Sequence, residues 1–163
     1  MTAKFYPTAF IILLLTAVAI PVHGQETNPE EAVLNVVQTL FDAMDGADSA
    51  KAASVFAHGG HTFRVSESGD ISLSDNEAFV QAIGNFKQEV VERMWDTEVL
   101  VDQNIAMAWM SYDLHANGKF SHCGTNLVSL IKTAEGWKIS DITYNVKREE
   151  CEESPLGPLT DNQ

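Results

Sequence analysis

The residues in this 163-residue chain best suited to chemistry are Asp113 and His122, which a tight turn at Asn117-Gly118 would bring face to face. A two-residue type I′ turn needs positive φ at both central positions, and Asn-Gly supplies it. Counting outward from that turn sets Ala116 opposite Lys119, Asp113 opposite His122, Tyr112 opposite Cys123 and Trp109 opposite Asn126. Directly opposed residues of an antiparallel pair share a face. A carboxylate beside an imidazole raises its pKa and fixes its tautomer, which suits a general acid or base. The same pair is also an ordinary sheet-stabilising contact, and no nucleophile or oxyanion donor can be located beside it from the sequence. His122 and Asp113 are therefore candidates for catalysis and nothing firmer.

A second turn at Thr133-Ala134-Glu135-Gly136 sets Lys132 opposite Trp137, Leu130 opposite Ile139 and Asn126 opposite Thr143. One face of the resulting meander carries Trp109, Asp113, Phe120, His122, Asn126 and Thr143. An aromatic wall with a few convergent polar groups has the character of a small-molecule site, so these six are the expected ligand-binding set. The other face, with Met110, Tyr112, Leu114, Leu127, Ile142 and Tyr144, is more uniformly apolar and suits a core or an interface. A single β-bulge would exchange the two faces beyond it. His61, Arg64, Trp95 and Tyr112 could reach a pocket mouth, and each reads first as a surface or packing residue. His58 with His61, and His115 with His122, lack a cysteine or carboxylate at ligand spacing, so no metal is expected. No phosphate-cradling Gly-rich loop, G-x-S-x-G or C-x-x-C occurs, and no cofactor is expected.

The elements that must position this sheet come mostly before it. Asn28-Pro29-Glu30-Glu31 reads as a helix start, with Asn28 as N-cap, Pro29 at the first helical position and two acids to meet the dipole. Val33, Val36, Val37, Leu40, Phe41 and Met44 then form one apolar stripe over about four turns, and Gly46 stops it. An alanine-rich second helix is expected from Asp48 to Phe56, broken by Gly59-Gly60. His61–Ser66 reads as a short strand and Glu67–Leu73 as a loop turning at Gly69-Asp70. Ser74 with Glu77 fits a capping box for a third helix, and Glu92–Val101 reads as a strand leading into the meander. Helices early and an antiparallel sheet late argue for an α+β fold.

Residues 1–24 read as a signal peptide: Lys4 gives a positive start, Phe10–Ile20 an apolar run too short for a comfortable span, and Val22-His23-Gly24 a cleavage site. The expected organisation is a leader over 1–24, one domain over 25–148 and an acidic, disordered tail over 149–163. Export implies a secreted or periplasmic protein with no membrane association after cleavage. The formal net charge is −13, and losing residues 1–24 removes only Lys4 among charged groups. That balance repels nucleic acid and anionic lipid surfaces, because both are bound through Lys and Arg, and it excludes nucleic acid as a partner. Cys123 and Cys151 are the only cysteines. In an oxidising compartment they can pair, pinning the tail to the sheet, with two free thiols as the alternative.

Together the long first helix closed by Gly46, the alanine-rich second helix, the capped third helix, the Asn117-Gly118 turn and Glu135-Gly136-Trp137-Lys138-Ile139 resemble the nuclear-transport-factor-2-like superfamily. Within it the chain most resembles the SnoaL-like and "putative lumazine-binding" branch, over about residues 29–147. The resemblance implies a cone-shaped α+β fold, in which a curved sheet wraps the long helix and leaves a pocket at the open end. It also implies homodimers through the outer face of the sheet, and it points the Trp137 and Ile139 parity inward. Members include isomerases, dehydratases, cyclases and non-catalytic binding domains, so the fold does not choose the chemistry. The expected function is an exported domain that binds a small apolar or aromatic molecule. The alternatives are an isomerase, dehydratase or cyclase using Asp113 and His122, and a protein-interaction module.

Overall fold

Asn28 accepts a hydrogen bond from the Glu30 N–H at 3.2 Å, and helix α1 (Pro29–Asp45) runs from there with Pro29 in its first turn. Its stripe of Val33, Val37, Leu40, Phe41 and Met44 is buried as the spacing predicts, each side chain adding about 1.5–3 kcal/mol of apolar burial. Gly46 caps the helix in an ordinary right-handed conformation, and the chain reverses instead at Ala47, whose φ is 48°. A computed structural model of the protein describes residues 28–159 and, upstream, Thr2 alone; the expected leader falls outside the described residues.

Helix α2 (Ser49–Val55) follows, with Asp48 as its N-cap. Strands β1 (His61–Val65) and β2 (Ile71–Asp75) form a hairpin through the turn at Gly69. The sequence pattern reads the second of these as loop. It is a short edge strand whose Ile71 and Leu73 lie exposed, so no buried face marks it in the sequence. Helix α3 (Asn76–Gly84) is capped by Asp75, one residue later than the expected Ser74; Asp75 Oδ1 takes the Ala78 N–H at 2.6 Å. Glu77, freed from a capping box, accepts from the Gly59 N–H at 3.3 Å instead. Strands β3 (Val90–Asp102), β4 (Ile105–Ala116), β5 (Lys119–Thr133) and β6 (Gly136–Asn145) make the meander. The sheet order is β2-β1-β6-β5-β4-β3, with β1 parallel to β6 and every other pair antiparallel. The architecture is α+β, a curved six-stranded sheet with the helices against its concave face.

Both hairpin turns sit where the sequence puts them, with Ala116 opposite Lys119 and Thr133 opposite Gly136. Three bulges then move the register. In β5, Ser121 is the extra residue, so His115 faces Phe120 but Leu114 faces His122. In β6, Ser140 is extra, so Leu130 faces Ile139 but Ser129 faces Asp141. In β3 the irregularity falls at Asp96-Thr97, with Asp96 at φ 48°. Each bulge bends its strand and raises the local twist, which is how a sheet this long wraps a single helix. Asn76 locks the second bulge in place. It is buried, donates to Ser140 O at 2.8 Å and Gly59 O at 3.1 Å, and accepts from Thr62 Oγ1 at 3.2 Å.

Cys123 and Cys151 form a disulfide. Residues 149–159 carry no helix or strand, yet they are held against the convex face by that bond and by Arg93, which donates to Gly157 O at 3.0 Å.

Candidate functional site

The bulge at Ser121 decides which residues meet the concave side. His122, Asn126, Val128 and Leu130 point inward, as the sequence expects for β5. Their partners on β4 are not Asp113 and Trp109 but Leu114 and Met110. Asp113 lies opposite Cys123 on the convex face, so the expected Asp113–His122 pair does not form. Trp109, 47% exposed, and Phe120, 49% exposed, are convex as well. The bulge at Ser140 does the same to β6: Thr143 faces Leu127 outward while Tyr144 faces Asn126 inward. Ile139, before that bulge, is inward and buried, in agreement with its expected parity.

Asp113 has a structural partnership where it does sit. Its carboxylate takes Arg93 Nε at 2.9 Å and an Arg93 terminal nitrogen at 2.6 Å, and His115 Nε2 lies 3.5 Å away. The bidentate bond raises the Arg93 pKa. Phe120 stacks edge-on against His115 at 5.9 Å. Trp95 is buried on this side, and His61 is exposed beside Phe63.

The concave side encloses a cavity of about 330 Å³. Its walls are Leu40, Phe41 and Met44 of α1, with Phe79 and Ala82 of α3 and Phe86 beyond it. Its floor carries the polar groups. Arg64 on β1 pairs with Tyr144 on β6, and Tyr144 with Asn126 on β5, so three polar side chains stand in one row across the sheet. Asn126 Nδ2 then donates to Glu92 Oε1 of β3 at 2.7 Å. Burial pushes the Glu92 carboxyl up to about 7, against the Asn126 hydrogen bond that lowers it and with some help from the charge of Asp113. A carboxyl half-protonated near neutral pH can give or take a proton.

His122 shares the cavity in the opposite condition. Burial first, then the Arg148 and Arg64 cations, depress its pKa to about 4, so its ring is neutral at pH 7. Ser121 Oγ sits 3.0 Å from its Nδ1. The Tyr112 ring packs edge-on against it at 5.8 Å, and the Tyr112 hydroxyl is committed to Asn145 O at 2.8 Å. Burial raises both the Tyr112 and Tyr144 phenols, so each stays a hydrogen-bond donor. Among the described residues Arg64 makes no ion pair.

Of the six expected ligand contacts, then, His122 and Asn126 line the cavity, whereas Trp109, Asp113, Phe120 and Thr143 do not. Arg64 and Tyr112, which the sequence reads first as surface or packing residues, also line it. Sequence reasoning misses Tyr144, which it assigns to the other face, and Glu92. Val90, Glu92 and Met94 alternate on one face, but Val91, Arg93 and Trp95 alternate equally well on the other, so parity alone does not choose. A larger depression of about 750 Å³ between α2, α3 and the β5–β6 turn is more open to solvent. Its Lys138 is already engaged, with Ser54 O at 2.6 Å and Glu135 at 3.7 Å. Among the described residues no group of three or more His, Cys, Asp or Glu side chains could hold a metal ion.

Residues 28–145 match the family described as "Putative lumazine-binding". Similar solved structures include an NTF2-like protein with a cystatin-like fold from Novosphingobium aromaticivorans, at TM-score 0.62 and 14% identity over 74% of this chain and 83% of that one. An NTF2-like superfamily protein from Salmonella enterica serovar Typhimurium aligns at TM-score 0.58 and 17% identity, covering 77% of this chain and 97% of the other. A "putative dehydratase from the NTF2-like family" of Streptomyces avermitilis aligns at 0.59 and 14%, over 72% and 95%. At these identities the likeness is one of fold. No curated protein matches the chain. The family match covers most of the described residues, and the chain belongs to the "Putative lumazine-binding" family, with a fold shared with NTF2-like structures.

Proposed function

We propose that the concave cavity binds a small apolar or aromatic molecule, oriented by Arg64, Asn126, Glu92 and His122. The observation that carries this reading is the composition of the enclosure: apolar helix side chains above, and below them one polar row whose Arg64 end makes no ion pair among the described residues. About 330 Å³ is at the small end of ligand sites. Family membership supports small-molecule binding in general and names no ligand for this chain.

Native mass spectrometry of protein purified without added ligand tests the reading. Retained small-molecule mass is expected in the wild type. It should be absent from Ala82→Phe, which fills the mouth from an exposed helix position without disturbing the core. Retention in both proteins would place the ligand elsewhere.

A second reading is favoured by Glu92 alone. A carboxyl pushed up to about 7 inside an apolar cavity suits proton transfer next to a carbonyl group, of the isomerase or dehydratase kind. In this reading Glu92 takes the acid/base role expected for Asp113 and His122. Glu92→Gln should then abolish turnover of an identified substrate while leaving its binding intact, and unchanged turnover would remove the enzyme reading.

The chain is also exported in this proposal, to the periplasm or outside the cell. The apolar run Phe10–Ile20 and the Cys123–Cys151 bond support that assignment. Self-association through the convex face is supported by the exposed Leu100, Ile105, Trp109 and Ile131. Sedimentation at increasing concentration tests it, and a monomer throughout would rule it out.

A further inference from the structure

The charge inside the cavity has the opposite sign to the chain that encloses it. The protein carries a formal −13, yet among the described residues the one permanently ionised side chain lining the cavity is Arg64, and Arg148 lies close enough to His122 to depress its pKa. Glu92 lines the same cavity from the other end of the polar row. Tyr144 and Asn126 stand between the two, and no ion pair joins Arg64 to Glu92. Arg64 and Asn126 sit on strands separated by one other, so their backbones are about 10 Å apart. That spacing is comparable with the length of a two-ring molecule, and the walls above it are aromatic and aliphatic.

We propose that the ligand is a ring-containing monoanion with a hydrogen-bond acceptor at its far end. Its carboxylate or equivalent oxyanion sits on Arg64, its rings lie beneath Phe41 and Phe79, and its acceptor takes the proton of the Glu92 carboxylic acid. A half-buried guanidinium without a counter-ion is costly, and an anionic ligand offsets that cost. A cationic ligand would face Arg64 and Arg148 together. At the other end a carboxylic acid, held through its Oε1 by Asn126, can offer its own proton to a carbonyl or ring nitrogen. The Tyr144 phenol adds a second donor along the row. This inference rests on the cavity being the ligand site, and it narrows the ligand to one class.

The test uses three probes on one ring system: 6-acetyl-2-naphthoate, 2-acetylnaphthalene, which lacks the carboxylate, and 2-naphthoate, which lacks the carbonyl. Calorimetric titration of the wild type should show 6-acetyl-2-naphthoate binding about tenfold or more tighter than either partial probe. Arg64→Gln should erase its advantage over 2-acetylnaphthalene, and Arg64→Lys should restore part of it. Glu92→Leu should erase its advantage over 2-naphthoate. Among the described residues Arg64 makes no ion pair, so its variants should keep the wild-type circular dichroism spectrum. If the neutral ketone binds as tightly as the keto acid, and Arg64→Gln changes nothing, the anion assignment is wrong while the cavity remains the site. If no probe binds the wild type and Ala82→Phe retains the same copurified mass, the cavity reading itself fails.

Discussion

Asn126 and Glu92 are joined by a 2.7 Å hydrogen bond across three strands, and this bond holds a carboxyl with a pKa near 7 on the floor of an apolar cavity. His122, beside it, is depressed to about 4. The two shifts oppose each other in the stability of the fold.

Glu92 is raised from 4.5 to about 7, so the folded chain keeps a proton that the unfolded chain has lost between those values. Stability therefore falls as pH rises through that window. His122 is lowered from 6.5 to about 4, so the unfolded chain holds the extra proton between them, and stability rises with pH there. From about pH 4.5 to 6.5 the slopes cancel, and these two groups leave the wild-type profile flat. His122→Gln should expose the falling slope, by at most ~3 kcal/mol across its window, and Glu92→Gln the rising one, which is shallower because the His122 ring is partly solvated. Urea denaturation of the three proteins at several pH values checks this. Parallel profiles would show that the cavity does not impose the shifts.

Asn76→Asp should destabilise by about 2–3 kcal/mol. The acid can still accept from Thr62, but it cannot donate to Gly59 O and Ser140 O, which are left unpaired beside a new buried charge. Because Ser140 is the bulged residue of β6, amide exchange should increase there and at Asp141 before it increases on β4.

Gly124→Ala should cost about 2–3 kcal/mol. A methyl group at this position would meet the Asn145 carbonyl, and at 2.7 Å both Asn145 Oδ1 and the Tyr112 ring. Tyr112 must then leave Asn145 O and the cavity floor. A midpoint within one degree of wild type would contradict this packing.

Replacing both cysteines with serine should lower stability by about 3.5 kcal/mol, the chain-entropy value for a loop of this length. The tail would still be held by Arg93 at Gly157 O, but more weakly. A glutamate-specific protease should then cut among Glu149, Glu150, Glu152 and Glu153 faster than in the wild type. Equal cutting rates would mean that the disulfide does not restrain the tail.

Signals that act within a few residues are legible in the sequence itself. Asn28-Pro29 places the start of α1, its stripe places the buried face, and Asn117-Gly118 places the first hairpin, because each depends only on neighbouring dihedral preferences or one period. The site is half legible for the same reason. His122 and Asn126 follow from alternation along a single strand, whereas assigning Asp113, Trp109 and Thr143 to their face requires carrying register across a strand pair. Ser121 and Ser140 look like any polar strand residue, and nothing in their type marks them as extra. Glu92 stays hidden because its pKa arises from burial under α1 and α3, a property of the assembled fold.

The Ser121 bulge also bears on how such chains diverge. Between Ala116 and Leu114 the partner strand spends one more residue than β4 does, so the tip and the body of this hairpin are out of phase. Insertion or loss of one residue here would not simply lengthen or shorten a connection. It would turn Asp113, Arg93's partner, and His122 toward a common side, or drive them apart, while every flanking residue kept its identity. Two relatives with nearly the same β4 and β5 could thus present different functional groups to their cavities, and an alignment that gaps the turn rather than the strand would equate residues on opposite faces of the sheet.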